Sequence, residues 1–510
     1  MARVVGRRGR RYCRIVIDLL SNAEMEQADR LAVVSGVSST DLMENAGRAV
    51  ADHISRNYPT GTRVVVLAGP GKNGGDGYVT ARLLAGRGCD VRVLRLGVAK
   101  KGDAGRAAAQ WTGPTADAKP QSLVGADVIV DALFGAGLDR PVSGLAAAMI
   151  EAINNSGVPV VAVDLPSGIN GDNGAVMGAA VKARETVTFF RRKRGHLLLP
   201  GRLHAGVLSL ADIGIPPSVL DKIKPQAFAN EPALWFSHFP RPRPEGHKYD
   251  RGHAVIVSGD LPHTGAAGLA ARGALRAGAG LVTIASPRKA LAVNAAASLA
   301  IMVRQVDGAP ALAKFLKDPR LNSVVLGPGG GVGTAMQAKV RAALDGERAV
   351  VLDADALTSF SGNFKALAQA IRGRKDGATI LTPHEGEFAR LFNRLEKTSR
   401  VPVKNEKATL AARALGAIVL LKGPDTVVAA PDGRVAIACN APPWLATAGS
   451  GDVLAGMIAG LLAQGMPGFE AASAAVWLHG EAAAEFGPGL ISEDLPDKLP
   501  AVYRRLLDRL

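Results

Sequence analysis

Two consecutive α/β domains, each built on a parallel sheet, are what this sequence predicts. Short β-branched runs recur along the chain, Ala/Leu/Arg stretches with helical spacing separate them, and one proline-rich interruption splits the series in two. Strands that alternate with helices build a parallel sheet covered on both faces. The 510-residue length also exceeds what one hydrophobic core serves.

The first block spans residues 15–217. Its strand candidates are Arg63–Ala68, Asp90–Leu96, Val128–Leu133, Val158–Val163 and Thr186–Phe190. The interruption, 218–245, carries Pro225, Pro232 and the run Phe239–Pro244, Phe-Pro-Arg-Pro-Arg-Pro. So much proline fits neither helix nor central strand, and an irregular linker is expected. The second block, 246–510, opens with strand His253–Ser258. Val324–Leu326, Ala349–Leu352, Thr379–Leu381, Ile418–Leu421 and Thr426–Ala430 follow. Its most apolar stretch, Asp452–Met466, is broken by Gly456, Gly460 and Gln464 and reads as a buried helix rather than a membrane span.

Apolar residues make up 47% and charged residues 21%, as in a well-packed globular chain, and 60 glycines suit many tight strand-to-helix turns. Three cysteines, Cys13, Cys89 and Cys439, form no CxxC pair, which argues against a disulfide framework or a zinc site and for a reducing cytoplasm. The net charge of +16 owes much to Arg3, Arg7, Arg8, Arg10, Arg11 and Arg14. Without interleaved aromatics or a nucleic-acid motif, that charge points to an anionic small ligand. No nucleic-acid or membrane partner is expected; a homo-oligomer is.

After strand Arg63–Ala68 comes Gly69-Pro-Gly71-Lys72-Asn73-Gly74-Gly75-Asp76-Gly77 and then a helical stretch. Glycines let backbone N–H groups approach an anion, and a helix start adds positive potential. That GxGxxG pattern alone also suits a tight turn with no ligand. A dinucleotide dehydrogenase would place an acid at the end of its second strand, where this chain has Val93-Leu-Arg95. Asp131 through Gly135-Ala136-Gly137-Leu138-Asp139 follows the third strand, and Asp164-Leu-Pro-Ser167-Gly168 the fourth. Carboxyl ends of adjacent parallel strands form a ligand crevice, so these loops should converge in a Rossmann-like sheet. Asn73, Asp131 and Ser167 are hard oxygen donors suited to an alkali or alkaline-earth cation, and Asp164 is an acid–base candidate.

These motifs, with Leu20–Asp29 and Leu42–Gly47, make the first block similar to NAD(P)H-hydrate epimerases. The resemblance implies potassium on Asn73, Asp131 and Ser167. It also implies a substrate site from Lys72, Asn73, Gly74, Gly75, Asp76, Gly135, Ala136, Gly137, Leu138, Asp139, Arg140, Pro141 and Asp164, with Asp164 moving the proton. The chain departs from the family at Lys72, where the family usually carries Asn.

The second block orders Gly265-Ala266-Ala267, Gly327-Pro-Gly329, Asp353-Ala-Asp355, Thr382-Pro-His384-Glu-Gly-Glu387, Lys422-Gly423-Pro424-Asp425-Thr426 and Gly449-Ser-Gly451-Asp452. A GxGD at a helix start can hold a transferring phosphoryl group on backbone amides while Asp452 takes the proton of the attacking hydroxyl. His384 either caps the helix that follows it or contacts substrate, and the second is expected. The motif order matches a ribokinase-like fold, and no P-loop is present.

Together with Arg276–Val282 and Leu352–Leu357, these motifs look like ADP-dependent NAD(P)H-hydrate dehydratases. The resemblance implies phosphorylation of the hydrate's ring hydroxyl and elimination of phosphate, with magnesium and ADP. Asp452 would be the base. Ala266, Gly329 and His384 would touch the hydrate, and Lys422, Gly423, Pro424, Asp425, Thr426 and Gly451 would hold ADP. The stretch before Gly449, Pro442-Pro-Trp-Leu, departs from the family's Gly- and Thr-rich one. Hydration of a reduced nicotinamide gives R and S epimers of NADHX or NADPHX, so an epimerase fused to a dehydratase specific for the S form makes chemical sense. Two other readings stand beside it: a small-molecule kinase with a non-catalytic nucleotide-binding first domain, and a metabolite-binding scaffold.

Overall fold

In the computed structural model the structure describes residues 16–99, 101–297, 299–393, 395 and 403–508. The Arg-rich start lies outside them. The chain divides into two compact units, Met1–Ala227 and Phe228–Leu510.

The first unit contains strands β1 (Asp18–Leu20), β2 (Arg63–Ala68), β3 (Asp90–Arg95), β4 (Thr115–Asp117), β5 (Val128–Ala132), β6 (Val160–Val163), β7 (Glu185–Phe189), β8 (Arg192–Lys193) and β9 (Val207–Ala211). Seven of them form a sheet in the order β4-β3-β2-β5-β6-β7-β9. Every pairing in it is parallel. Val64, Val66 and Ala68 enter one core and Val65 and Leu67 another, so β2 is buried on both faces. That double burial is why the central strands read as unbroken apolar runs. Helices Asn22–Val34, Ser39–Asn57 and Lys72–Gly86 supply buried residues to the first core, and helix Gly144–Asn155 to the second. Outside this sheet β1 pairs in parallel with β8, placing Leu20 opposite Lys193.

Strand β10 (Ala227–Ala229) lies at the boundary of the units. In the second unit follow β11 (His253–Val257), β12 (Leu281–Ser286), β13 (Met302–Gln305), β14 (Ser323–Leu326), β15 (Ala349–Leu352), β16 (Thr379–Leu381), β17 (Ile418–Leu421), β18 (Val427–Ala429) and β19 (Val435–Ile437). Their order is β13-β12-β11-β14-β15-β16-β17-β18-β19. The first seven run parallel. β18 and β19 continue the sheet as antiparallel strands. The expected buried helix is Ser450–Ala463, buried from Val453 onward. Gly456 and Gly460 face the backbone of Ala270 and Ala274 with no room for a methyl, so this helix and Thr264–Arg276 pack at close range.

The expectation of an irregular linker over 218–245 needs correcting. That stretch carries short helices at Leu220–Ile223 and Pro232–Trp235 as well as β10. Pro232 sits at the first helical position, where a missing N–H costs nothing. Trp235 is 0% exposed, with its ring centroid 5.7 Å from Trp477 and 5.6 Å from Phe239. Trp235→Ala is expected to lower the stability of the second unit by about 3–5 kcal/mol, read from urea unfolding. A loss below about 1 kcal/mol would return the segment to a linker role.

Candidate active sites at two strand-order reversals

In the first sheet the strand order reverses between β2 and β5, so the chain leaves their carboxyl ends in opposite directions and opens a crevice. The loops after β2, β5 and β6 all begin there. A Cβ at Gly69 would collide with the Leu133 backbone, and one at Gly74 with the Gly69 backbone. Glycine at both positions is what lets the first two loops close on each other.

Asp131 and Ser167 are each 0% exposed. The Ser167 amide donates to Asp131 Oδ2 at 2.7 Å and its hydroxyl to Oδ1 at 2.6 Å. Ser167 Oγ in turn accepts from the Phe134 amide at 2.8 Å. Burial pushes Asp131 up to about 6 against these hydrogen bonds. Asn73 is buried beside Gly135, and its Nδ2 has no hydrogen-bond partner among the described residues. A buried carboxylate, a hydroxyl oxygen and an amide oxygen are hard donors of the kind an alkali cation takes. Among the described residues no cluster of three His, Cys, Asp or Glu has metal-binding form.

Lys72, the departure from the family pattern, is exposed, and its ammonium lies 3.4 Å from Asp29 Oδ2. It thus points at a carboxylate of helix Asn22–Val34. Gly135, Ala136 and Leu138 are half-buried while Gly137, Asp139, Arg140 and Pro141 are exposed, forming a lip that follows β5.

Asp164 ends β6 with φ of +66°, a left-handed conformation that a non-glycine residue holds only where its surroundings impose it. The sequence offered no sign of what imposes it. Lys193, wholly buried, donates to Asp164 Oδ1 at 2.5 Å, and Thr188 donates to the same oxygen at 3.0 Å. His196 Nδ1 accepts from the Lys193 amide at 2.9 Å, and Nε2 bonds the Asp164 carbonyl at 2.9 Å. Burial would raise the Asp164 carboxyl, but the Lys193 ammonium and its hydrogen bond outweigh it and hold the group below its usual range. Burial, reinforced by Lys193, lowers His196 to about 4 and keeps it neutral. Asp76 goes the other way: burial, then the charges of Asp164 and Asp29, drives it well above the usual range.

The second sheet reverses between β11 and β14. Gly329, at φ of +60°, sits against His263, and a Cβ on it would lie 3.4 Å from that of Ala266. The loop after β14 thus packs against the start of helix Thr264–Arg276. Gly449 takes φ of +84° just before helix Ser450–Ala463, placing Gly451 and Asp452 in the first turn. Burial, then repulsion from Asp353, pushes Asp452 up to about 7.

Lys422 is not free to roam. It donates to Asp353 Oδ1 at 2.7 Å, and its ammonium faces Gly451, 3.3 Å from where a Cβ would lie. Thr426 spends its hydroxyl on the Gly423 carbonyl at 2.7 Å, closing the Lys422–Thr426 turn over Pro424. Asp425 is buried and paired with Lys404 at 2.7 Å. His384 takes the cap role: Nδ1 accepts from the Gly386 amide at 3.0 Å, leaving Nε2 to carry the ring proton on a half-exposed side chain. Buried His479 has a hydrogen bond to the Ser450 backbone, and burial lowers it to about 4.

Comparison with known proteins gives matches along both units. Residues 39–195 match the family described as YjeF-related protein N-terminus, and residues 254–499 match the NAD(P)H-hydrate dehydratase family. The bifunctional NAD(P)H-hydrate repair enzyme Nnr of Pyrobaculum aerophilum is 38% identical over 519 residues, covering 96% of this chain and 99% of that one. Its counterpart in Moorella thermoacetica is 38% identical over 525 residues, covering 96% and 97%. The ADP/ATP-dependent NAD(P)H-hydrate dehydratase of Bacillus subtilis, co-crystallized with ATP/Mg2+, shares 31% identity over 52% of this chain and 94% of that one, with a TM-score of 0.44. With full-length relatives on both sides of the strand-order argument, this chain belongs to the family of bifunctional NAD(P)H-hydrate repair enzymes.

Proposed function

We propose that the first unit interconverts the epimers of NADHX and NADPHX at Asp164 and that the second unit dehydrates one epimer at Asp452 with ADP as phosphoryl donor. The observation that carries the reading is the opposite tuning of Asp164 and Asp76 in the first crevice, which separates base from acid, beside an Asp452 in the second that is raised to about 7.

In the first site Asp164, held ionised, takes the proton of the ring hydroxyl as the adjacent carbon–nitrogen bond opens. Asp76, held protonated, gives its proton to the nitrogen. Turnover of the carbonyl and closure on the other face reverse both transfers and invert the carbon. The lip Gly135–Pro141 and the amides of Lys72–Asp76 would hold the substrate, and Lys72 would offer its charge to a substrate phosphate. Asn73, Asp131 and Ser167 would hold potassium, whose positive charge would tie together the ends of β2, β5 and β6.

In the second site Asp452 takes the hydroxyl proton as that oxygen attacks the terminal phosphorus of ADP, releasing AMP. Phosphate then leaves the carbon while a neighbouring C–H loses its proton, which restores the dihydropyridine double bond. Amides of Gly449–Gly451 and the Lys422 ammonium would bear the phosphoryl charge. Magnesium, when bound with the nucleotide, would supply positive charge that offsets its phosphates. The backbone of the turn Lys422–Thr426 would seat ADP, the side chains of Asp425 and Thr426 being engaged already, and Ala266, Gly329 and His384 Nε2 would face the hydrate. A cytoplasmic, homo-oligomeric protein fits this role; no described helix is long and apolar enough to span a membrane.

Recovery of reduced-nicotinamide absorbance from purified epimers, with ADP, magnesium and potassium, tests both halves. Asp452→Asn should cut dehydration by about 10²–10⁴-fold. Because Asp452 titrates at about 7, its carboxylate is lost as pH falls, so dehydratase kcat/KM should decline below about pH 7. A flat profile from pH 5 to 9 would remove Asp452 as the base. Asp131→Asn should reduce epimerisation at least about tenfold and abolish its potassium dependence, leaving dehydration of the pure substrate epimer intact.

A further inference from the structure

A lysine with its side chain 1% exposed is expensive to bury, and a buried ion pair is weak grounds for stability. Lys193 is such a residue, and its three protons are all engaged. They reach Asp164 Oδ1 at 2.5 Å, Thr188 Oγ1 at 3.1 Å and the Phe189 carbonyl at 3.5 Å. None is left for a substrate. Thr188 passes its own proton to the same carboxylate oxygen. Oδ1 is therefore doubly occupied, while among the described residues no hydrogen bond reaches Oδ2. The backbone is gripped as well, since His196 joins the Lys193 amide to the Asp164 carbonyl.

We infer that Lys193 is a positioning residue of the epimerase: with Thr188 it claims Oδ1 of Asp164 and reserves Oδ2 as the oxygen that receives the substrate proton. The inference rests on the reading of Asp164 as the proton-transfer residue and adds to it the atom that reacts and the group that keeps it charged. Facing Asp164 are Lys193 and His196 on its own side and Asp76, Asp29 and Lys72 across the crevice. Lys193 alone both touches the carboxylate and opposes its burial with a full charge.

The experiment is the pH profile of epimerisation for the full chain, with dehydration of the pure substrate epimer by the second unit as an internal check on each preparation. Lys193→Met should move the acid limb of kcat/KM upward by about 1–3 pH units, because burial then acts unopposed on Asp164. At pH 6 kcat should drop with little change in KM. Lys193→Arg should recover part of the limb, and Thr188→Val should shift it in the same direction by less. If Lys193→Met does not yield a folded first unit, Thr188→Val decides. An unmoved acid limb in the folded variants, or a change confined to KM, overturns the proposal. Asp164→Asn separates the two ideas: full epimerisation by that variant sinks the Asp164 reading itself. Its loss beside a wild-type profile for Lys193→Met sinks only the role given to Lys193.

Discussion

Both halves of this chain depend on one geometric constraint, the reversal of strand order in an open parallel sheet. Right-handed crossovers place successive strands on one side until the order turns, and at that turn two loops diverge from neighbouring strand ends. The gap is wet and lined with backbone amides, yet it sits on rigid buried strands. The β2/β5 pair and the β11/β14 pair each create such a place. Asp76 stands on the helix that follows β2, and Asp164 on the loop after β6, the strand beyond β5. Chemistry differs between the units because different side chains end the strands.

Glycine makes those edges usable. The loops after β2 and β5 touch backbone to backbone at Gly69, and the loops after β11 and β14 do so where Gly259 meets Gly329. A side chain at any of these would wedge the crevice open. The charges then act over short distances in a partly dry setting, which is why Asp164 and Asp76 are driven in opposite directions.

Much of this was legible in the sequence. Central strands announced themselves because burial on both faces demands unbroken apolar runs such as Arg63–Ala68 and Ile418–Leu421. Peripheral strands did not: β4 is exposed along its length, and β13 presents Arg304 and Gln305 to solvent, so neither carries an apolar signature. β12 is a short apolar run that periodicity cannot tell from a helix turn. The loops bearing Asp131, Asp164, Gly329 and Asp452 could be placed because strand ends could be placed. Lys193 was missed since Arg191-Arg192-Lys193-Arg194 reads as a solvated basic stretch, whereas its first three members are buried. Its one clue was position, directly after a central strand that ends beside the crevice. The proline-rich segment was misread because composition reveals what a backbone cannot do, not that Trp235 would anchor it.

The buried pair between Lys193 and Asp164 also bears on how such a unit can change over generations. Removing either partner strands the other charge in a dry interior, at about 3–5 kcal/mol, a large share of what holds a domain folded. Single substitutions at either position are therefore punished twice, in folding and in chemistry, while a joint replacement by two neutral residues restores folding alone. A lineage that loses the epimerase activity can escape through that double change and keep an intact scaffold. One that retains the activity is held at both positions together, so the two sites should vary as a unit or not at all.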